Sequence, residues 1–409
     1  MRICYVAADV AVPHYRGSST HVFELARNLA KRGHEVHVVA RRVFSSQPKE
    51  EVLDGFHIHR FQRGILFSSS KSSFAKTESK GSYRGSTPLL IWKSYEAYLM
   101  TIFPAYIGAQ IARLVKENSI DIIFERESSF GGGAVASMLT GRPLVLEVIG
   151  NRVTGLQMRQ TKRIIAYTRG LFDGRVEPSK VELVTGAVDV DVFKPDLASR
   201  ESVRKEYGLV GCPVIGYAGT FQEWHGLDEL IQASRGLIQS VPNVKFLMVG
   251  PYYKDTEAEV IKEGERGSFI FTGPVPYEAV PSFLNASDVL VAPYNPSKIM
   301  ASEQARKHGL GSPLKVFEYM ATGKPVVTTD VKPISDPIQD GVTGVLVPVG
   351  DSKALEEAIL MLLSEKEKAG AMGAAARRSV ALEYSWERVA RKLEGVFESV
   401  LTAPRVQAI

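Results

Sequence analysis

The chain has 409 residues, of which 44% are hydrophobic and 23% are charged, with a net charge of +5. This length exceeds one core of usual size and predicts two globular domains, while the modest charge permits attraction to phosphates or anionic lipid without requiring either. Two cysteines, Cys4 and Cys212, cannot build a disulfide framework or a metal cluster, which indicates a reducing compartment. The start of the chain predicts no signal peptide, and no apolar stretch is long enough to span a bilayer.

Strand and helix patterns alternate along the first half of the chain. Strands are predicted at Ile3–Ala7, Val36–Val39, Phe56–Phe61, Ile120–Phe124 and Pro143–Val148. Helices are predicted at Thr20–Arg32, Pro88–Lys116 and Phe130–Thr140. The alternation within Phe56–Phe61 indicates an antiparallel or edge strand, and the Ser-, Gly- and Lys-rich segment Phe67–Thr87 is predicted to be a mobile loop.

The same alternation restarts after Pro195. Strands are predicted at Pro213–Ala218, Val244–Val249, Phe269–Thr272, Asp288–Pro293 and Pro325–Val327. Helices are predicted at Trp224–Ser240, Tyr277–Asn285, within Ser312–Thr322, and at Ser352–Leu363, Ala369–Glu383 and Trp386–Leu401. The fold class is therefore α/β, with two doubly wound, Rossmann-like halves and parallel sheets. Because ligands collect outside the carboxyl ends of such strands, a cleft is expected between the two halves.

The stretch Ser312–Val327 carries the clearest chemical pattern. Pro313 suits the first turn of a helix, where its missing N–H costs nothing. The backbone N–H groups of Leu314 and Lys315, beside the Lys315 ammonium, predict an anion site at a helix amino end. Glu318, one turn further, can accept hydrogen bonds from hydroxyls. The combination suits a nucleotide sugar, although an ordinary helix cap with a surface glutamate fits this short pattern equally well.

Two loops at matching positions of the halves are further candidates. In the first, Gly17 lets the backbone approach a ligand, and Ser18 can cap the helix while N–H groups stay available for phosphate. In the second, Gly219 and Thr220 follow a strand, and His225 precedes a helix as a candidate donor to a diphosphate. A plain helix cap in the first loop and a solvated histidine in the second remain open alternatives.

Charged residues end two strands of the first half. Arg126, within Glu125–Glu127, is a candidate for contact with a phosphate or a sugar hydroxyl, and Glu147 stands in a similar position; a surface ion cluster explains both equally well. Gly131–Gly133 could hold an anion or serve tight helix–sheet packing. The sequence contains no His-x-x-x-His array, P-loop or Gly-x-Ser-x-Gly elbow, so zinc hydrolases, P-loop enzymes and serine hydrolases are not indicated.

In these loops the chain resembles family 4 glycosyltransferases of the GT-B fold, over nearly its whole length. The matching pieces are the Gly17 loop, Arg32–Val36, Val188-Asp189 with Phe193 and Pro195, Ser312–Val327 and Asp340–Val347. The resemblance implies transfer of a sugar from a nucleotide diphosphate donor with retained anomeric configuration. It implies no cofactor and no obligatory metal.

The resemblance also implies roles for residues. Glu318 would hold the ribose hydroxyls, and the turn Ser312, Pro313, Leu314, Lys315 and Val316 would hold diphosphate and sugar. Charge on the leaving oxygen would be stabilised by the side chains of Lys315 and His225 and by N–H groups of Gly17, Ser18, Thr220 and Leu314, with Gly219 in the same loop. Arg126 occupies roughly the region of the family's first-domain histidine.

The sequence departs from the family pattern in ways that affect these roles. Leu310 stands where the family commonly has a glutamate, and Gly219 and His225 stand where many members have an arginine and a lysine. Gly186-Ala187 replaces the usual Asn-Gly. We hypothesise that Lys315 substitutes for the missing cations. Two alternatives stay open: a catalytically impaired nucleotide-sugar-binding partner subunit, or a nucleotide-sugar epimerase on the same scaffold.

The expected organisation follows from the same pattern. Residues 1–195 form an acceptor-side domain, 196–384 a nucleotide-sugar-binding domain, and 385–409 a helix that returns to the first domain. The expected partners are a UDP- or GDP-sugar and a glycan, lipid-linked or small-molecule acceptor, with no nucleic acid. We expect a cytoplasmic protein in polysaccharide biosynthesis. Basic residues around Lys162–Arg175 and Lys71–Lys93 could meet anionic membrane at the inner face, and an ordinary solvated surface explains them equally well.

Overall fold

A computed structural model resolves the chain into two compact units, residues 1–185 with 386–409, and residues 186–385. The structure describes residues 1–13, 17–62, 89–150, 153–167, 172, 176–251, 267–298 and 312–403, with the backbone alone for 89–101. The predicted Phe67–Thr87 loop and Leu310 lie outside these residues, as does much of the predicted basic surface. Of that surface, Lys162 is exposed and Arg163 is half-buried.

The first unit is built on an eight-stranded sheet. Its strands are β1 (Arg2–Ala7), β2 (Glu35–Arg41), β3 (Glu50–Leu53), β4 (Phe56–Phe61), β5 (Ile122–Arg126), β6 (Leu144–Val148), β7 (Thr161–Ala166) and β8 (Val181–Leu183). The spatial order is β3-β4-β2-β1-β5-β6-β7-β8. The helices between them are α1 (Gly17–Lys31), α2 (Leu89–Glu117), α3 (Gly132–Thr140) and α4 (Gly155–Gln160).

The prediction for strand β4 is corrected by its pairing. β4 lies parallel to β2 and antiparallel to β3, so it is neither purely antiparallel nor at the edge. Its alternating pattern arises because one face is buried while the other is partly exposed. The short, charged strand β3 forms the edge instead.

The second unit has a six-stranded, wholly parallel sheet. Its strands are β9 (Val214–Ala218), β10 (Lys245–Val249), β11 (Phe269–Gly273), β12 (Val289–Ala292), β13 (Val326–Thr329) and β14 (Val345–Val347), in the order β11-β10-β9-β12-β13-β14. Its helices are α5 (Leu197–Glu206), α6 (Leu227–Ser240), α7 (Val280–Ala286), α8 (Leu314–Ala321), α9 (Ser352–Ser364) and α10 (Lys366–Glu383). Two separate hydrophobic clusters are formed by residues of this unit.

The last helix, α11 (Trp386–Thr402), belongs to the first unit, where it packs on α1. Nε of Arg32, at the end of α1, donates to Glu394 Oε2 at 2.9 Å. Trp386 meets His21 edge-on, with ring centres 5.3 Å apart. Polar and aromatic contacts therefore hold α11 against α1.

The division between the units falls at Thr185/Gly186, ahead of the boundary expected after residue 195. The Val188 N–H donates to Tyr384 O at 2.9 Å, and Phe193 is only 1% exposed within the core of the second unit. Burial of these apolar side chains attaches the connecting segment to the second unit.

The strand order places a switch point in each sheet. In the second unit β9 lies between β10 and β12. The chain therefore continues from β9 to the strands on one side of it, β10 and β11, and then crosses to β12 on its other side. Doubly wound sheets bind ligands outside the carboxyl ends of the strands at such a point. The loop that follows Ala218 and the segment that follows Ala292 both start at the carboxyl ends of β9 and β12. Helix α8 lies further along the connection from β12 to β13.

Candidate functional site

Helix α8 begins after a tight turn at Pro313, which has φ −77° and ψ 51°. This is the conformation of an inverse γ-turn, and the Leu314 N–H accordingly donates to Ser312 O at 2.9 Å. The prediction of a free N–H at Leu314 is therefore wrong. The Lys315 N–H has no hydrogen-bond partner in the part of the chain that the structure describes, so one of the two expected amides remains.

Close packing with Gly186 holds this turn in place. The Gly186 N–H donates to Ser312 Oγ at 2.9 Å. A Cβ at position 186 would lie 2.3 Å from the same oxygen and 2.7 Å from a methyl of Leu314. Val316, one of the predicted donor-binding residues, is fully buried in the core, so its side chain serves packing. The glycine at position 186 is thus explained by the approach of the turn.

Tyr319 joins α8 to the end of strand β9. Its hydroxyl accepts from the Ala218 N–H at 2.7 Å and donates to Ala218 O at 3.0 Å. The start of the Gly219 loop is therefore fixed relative to α8. No short pattern in the sequence indicates this bond, because Tyr319 and Ala218 are far apart in the chain.

The Lys315 side chain extends from α8 over the beginning of the same loop. Its Nζ donates to Tyr217 Oη at 3.0 Å, and it lies 4.4 Å and 5.1 Å from the ring centres of Tyr217 and Tyr294. Gly219 has φ +148°, and a Cβ there would lie 2.7 Å from the Lys315 Nζ. Lys315 therefore fills the space that a side chain at position 219 would take.

The half-buried Lys315 side chain has no carboxylate within ion-pair distance among the described residues. Burial lowers the pKa of Lys315 to about 7, and the charge of Glu318 only partly opposes the change. Within the described residues no carboxylate forms an ion pair with the ammonium, and its neighbours are aromatic faces and a hydroxyl. An anion bound here would restore the charged form of the lysine.

His225 holds the loop that follows Gly219 through a contact with the Thr220 carbonyl. Its Nδ1 contacts Thr220 O at short range, and Tyr217 Oη donates to the same oxygen at 2.7 Å. Because a carbonyl oxygen only accepts, Nδ1 carries the proton. Burial, followed by the charge of Lys315, lowers the pKa of His225 to about 2, so the ring is neutral and Nε2 has no proton to donate. In this arrangement His225 positions the half-buried Thr220 and does not act as the expected phosphate donor.

Glu318 lies one turn along α8 from Lys315, on the same helix face. Its Oε1 accepts from Tyr277 Oη at 2.8 Å. Burial raises the pKa of Glu318 to about 7, while the Tyr277 bond and Lys315 lower it in part. Tyr277 belongs to the turn after β11, and nothing in the sequence pattern pointed to it. The second oxygen, Oε2, has no hydrogen-bond partner within the described residues.

In the first unit the glycine run binds an anion from its own chain. The N–H groups of Gly131 and Gly133 donate to Glu125 Oε1 at 3.0 and 3.1 Å, and the Ala134 N–H donates to Oε2 at 2.9 Å. Burial nevertheless raises the pKa of Glu125 to about 7 against these three bonds. The start of α3 is thus occupied by Glu125. Both expectations for the glycines hold in part, since they allow close packing and hold a carboxylate.

Glu147 is the centre of a buried polar cluster in the first unit. It accepts from Tyr5 Oη at 2.9 Å and from Arg126 at 3.1 Å, and its Oε1 lies 2.6 Å from His21 Nε2. Burial alone would raise the pKa of Glu147, but His21 and Arg126 outweigh it and lower the value to about 2. Arg126 is only 7% exposed, so its guanidinium is committed to this cluster.

The remaining predicted residues of the first unit lie at the start of α1. Gly17 is exposed and opens the helix, and Ser18 is half-buried. Ser19 and His21, the residues that follow in α1, are buried. The structure therefore brings Gly219, Thr220, His225, Lys315 and Glu318 together within the second unit. Gly17, Ser18 and Arg126 belong to the first.

Two sequence families match consecutive parts of the chain. Residues 15–148 match the family described as Glycosyltransferase Family 4, and residues 212–365 match the family described as Glycosyl transferases group 1. In the residues that the structure describes, no helix combines the length and the apolar character that crossing a membrane requires.

Curated relatives include transferases of two kinds. A GDP-mannose-dependent alpha-(1-6)-phosphatidylinositol monomannoside mannosyltransferase of Mycolicibacterium smegmatis is 27% identical over 321 residues, which is 71% of this chain and 80% of the relative. A D-inositol 3-phosphate glycosyltransferase of Corynebacterium urealyticum is 29% identical over 55% of this chain and 53% of its own length.

Solved structures share the fold over the whole chain. Anabaena Alr3699/HepE in complex with UDP has a TM-score of 0.73 at 16% identity, covering 98% of this chain and 100% of that chain. Sucrose-phosphate synthase from Thermosynechococcus elongatus has a TM-score of 0.72 at 19% identity with the same coverage. Two Rossmann-like α/β units in this order form the GT-B fold. The chain is therefore a glycosyltransferase of the GT-B fold, in which residues 15–148 match Glycosyltransferase Family 4 and residues 212–365 match Glycosyl transferases group 1.

Proposed function

We propose that the chain moves a sugar from a nucleotide diphosphate-sugar to an acceptor, with retained anomeric configuration and without an obligatory metal or cofactor. The observation that carries this proposal is the Lys315 ammonium, which lies over Gly219 at the carboxyl end of β9 without a carboxylate partner among the described residues. Glu318 follows one turn later, with one oxygen bonded to Tyr277. A cation for phosphate and an acceptor for hydroxyls thus occupy one helix face.

The chemical problem is departure of a nucleoside diphosphate from the anomeric carbon. Negative charge grows on the leaving oxygen as that bond breaks, and a fixed donor aimed there is worth roughly a hundredfold to a thousandfold in rate. In our proposal Lys315 supplies the main charge, and the N–H groups of Lys315 and Thr220 add hydrogen bonds. An ammonium that neutralises the diphosphate takes the place a metal ion would otherwise have, which supports metal-independent transfer.

The ribose contact is proposed for Glu318. Its Oε1 is held by Tyr277, which fixes the orientation of the carboxylate, and Oε2 is available to accept from the two ribose hydroxyls. The ionised carboxylate is the better acceptor. His225 and Tyr217 would act as positioning residues, because they hold Thr220 and Lys315 in place.

The acceptor and the location remain proposals as well. We place the acceptor on the first unit, near Ser18 and the strand ends that carry Arg126 and Glu147. The relatives named as GDP-mannose-dependent mannosyltransferases support GDP-mannose as the first donor to test and a lipid-linked acceptor, with UDP-sugars as the second class. A cytoplasmic enzyme that meets anionic membrane through exposed lysines such as Lys162 would reach such an acceptor.

A donor screen followed by a transfer assay tests the proposal. The chain is heated with GDP and UDP, since a bound nucleotide raises the melting temperature. It is then incubated with GDP-mannose and UDP-glucose, with and without lipid extract, and NMR of the product reads the anomeric configuration. Glu318→Ala should keep the fold by circular dichroism and lose detectable transfer. Full transfer by this folded variant would count against the assignment.

The same assay separates the alternatives. Nucleotide binding without release of nucleoside diphosphate under any acceptor condition would indicate an impaired partner subunit. A sugar epimer formed without an acceptor would indicate an epimerase. Transfer that persists unchanged in EDTA is the expected result for a reaction that needs no metal.

A further inference from the structure

Histidines and glutamates cluster at the amino ends of two parallel strands. Glu35 and His37 lie on one face of β2, and His57 and His59 lie on the adjoining face of β4, since alternate residues of a strand share a face. In the register His37 pairs with His57, and Glu50 of β3 pairs with His59. The reaction discussed above uses carboxyl ends of strands, so this cluster is a separate feature.

The cluster brings three potential metal ligands, one carboxylate and two imidazoles, close together. A carboxylate oxygen of Glu35 and ring nitrogens of His37 and His57 all lie within 4.8 Å of one another. The rings of His37 and His57 are nearly parallel, with centres 4.6 Å apart and planes 8° apart. His37 is 2% exposed, whereas Glu35 is exposed, so the group is open to solvent on one side.

Neutral histidines cannot supply enough hydrogens for all the contacts in this cluster. His37 Nε2 lies 3.1 Å from Glu35 Oε1, His37 Nδ1 lies 3.0 Å from His59 Nε2, and His59 Nδ1 lies 3.4 Å from Glu50 Oε1. Each of the three contacts joins two atoms with lone pairs and needs one hydrogen between them. Two neutral imidazole rings supply only two hydrogens. All three contacts can be satisfied together only with an extra proton or with a cation in place of one of them.

We propose that Glu35, His37 and His57 bind a divalent transition-metal ion, with Zn²⁺ as the ion that fits this donor set. Two imidazoles and one carboxylate, with a remaining position for water, are an established zinc coordination. In a tetrahedral site with Zn–N bonds of about 2.0 Å the ligand atoms are roughly 3.3 Å apart. Because an imidazole nitrogen binds a metal in its ring plane, the stacked rings of His37 and His57 do not converge on one point as they stand. Coordination therefore requires the half-buried His57 ring to rotate and the exposed Glu35 side chain to change rotamer.

The surrounding groups support coordination through His37 Nε2. His59 accepts from His37 Nδ1 and is itself held by Glu50, which is the outer arrangement that fixes the tautomer of a metal-bound histidine. Arg2 lies 3.6 Å from Glu35 Oε2 and leaves Oε1 to the ion. Bound metal would tie β2 to β4 and so stabilise this side of the first sheet.

Zinc titration of the tag-free full chain tests the proposal. The chain is dialysed against EDTA, then titrated with ZnSO₄ by calorimetry and with Co²⁺ by visible absorption, which reports tetrahedral coordination. We expect one Zn²⁺ per chain and a rise in melting temperature. Glu35→Gln and His57→Ala should each weaken binding at least tenfold, and His59→Gln by roughly 10- to 100-fold.

Val52→Thr is the matched control, because Val52 is 65% exposed and lies opposite His57 in the register without offering a nitrogen or carboxylate ligand. This variant should bind zinc as the original chain does. Absence of zinc binding by the original chain would show that the third contact holds only a proton and would overturn the proposal. Unchanged affinity in both Glu35→Gln and His57→Ala, with the fold intact, would overturn it too.

Discussion

The Nζ of Lys315 lies 2.7 Å from the point where a Cβ at Gly219 would sit. Lys315 contributes a cation from helix α8, and this cation fits because Gly219 has no side chain in the same space. Family 4 resemblance leads to the expectation of an arginine at position 219, so its glycine raised the question of lost activity. The geometry offers a physical answer, because the missing loop cation and the helix lysine compete for one volume.

Gly219→Ala should therefore weaken donor binding. The added methyl group displaces the Lys315 ammonium and strains a backbone with φ +148°. Loss of one charge-assisted contact is worth about 1.5–3 kcal/mol, which is roughly 10- to 100-fold in donor affinity. Calorimetric titration with GDP and UDP measures this change in affinity. Gly208→Ala is the control, since Gly208 also has positive φ (+67°) but a Cβ there meets nothing within 4 Å.

Lys315→Met keeps the length of the side chain and removes its charge. If Lys315 binds the diphosphate, donor affinity should fall roughly 10- to 100-fold, and the rate of sugar transfer should fall by about a hundredfold or more. Lys315→Arg preserves the charge but introduces a planar group into space bounded by Gly219 and Tyr217, so we expect partial recovery of binding. Nucleotide affinity unchanged in Lys315→Met would show that the diphosphate binds elsewhere.

Tyr277→Phe tests how Glu318 is held. Removing the hydroxyl removes the bond to Oε1, and since this bond lowers the pKa of Glu318, the pKa should rise further above 7. The acidic limb of the activity profile should then move to higher pH, while activity at high pH stays close to that of the original chain. A profile of kcat/KM against pH measures the shift, and an unmoved acidic limb would argue against a role for ionised Glu318.

The sequence predicts a functional residue best when the residue and its structural setting belong to the same short segment. Short patterns predict roles for Lys315, Glu318 and Gly219. Alternating patterns predict most strands and helices of both units, but not β3, β7, β8, β14, α4 or α5. The tyrosine hydroxyls of Tyr217 and Tyr277 were missed because their partners come from other elements. The Leu314 amide was misjudged because its fate depends on the ψ angle of Pro313, which no residue pattern determines.

Some elements were missed for a different reason. Strand β7 carries the charged pair Lys162-Arg163 directly after its first residue, Thr161, and this pair favours a basic surface in the sequence although the last residues of the strand are buried. Helix α5 has only Val203 buried and shows no clear apolar face; Arg200 and Arg204 fix it to Asp288. Charged segments held by ion pairs leave little hydrophobic periodicity to detect.

Lys315 and Glu318 also predict the pH dependence of stability. The pKa of Lys315 falls from 10.5 to about 7 on folding, so between these values the unfolded chain binds more protons and stability rises with pH. The pKa of Glu318 rises from 4.5 to about 7, so stability falls as pH rises through that range. The combined contribution of these two groups to the free energy of unfolding should therefore be lowest near pH 7.

Urea unfolding of the original chain, Lys315→Met and Glu318→Gln between pH 4.5 and 10.5 measures this effect. Lys315→Met should lose the rise on the alkaline side, and Glu318→Gln the fall on the acidic side. Saturating GDP should raise the pKa of Lys315 and cause proton uptake at pH 7, seen as a buffer-dependent heat of binding. Identical pH curves for all three proteins would contradict the pKa assignments.

Glu147→Gln should destabilise the first unit by about 3–5 kcal/mol, because it leaves the Arg126 guanidinium buried without its counterion. Glu117→Gln is the matched control: its Arg113–Glu117 pair is exposed and should cost less than about 1 kcal/mol. The ionised Glu147 has a pKa lowered from 4.5 to about 2, so its contribution is complete above pH 4.5 and is lost as pH falls toward 2. Urea unfolding should therefore show a shallower acid-side loss of stability in Glu147→Gln than in Glu117→Gln, and equal losses would indicate that Arg126 finds another partner.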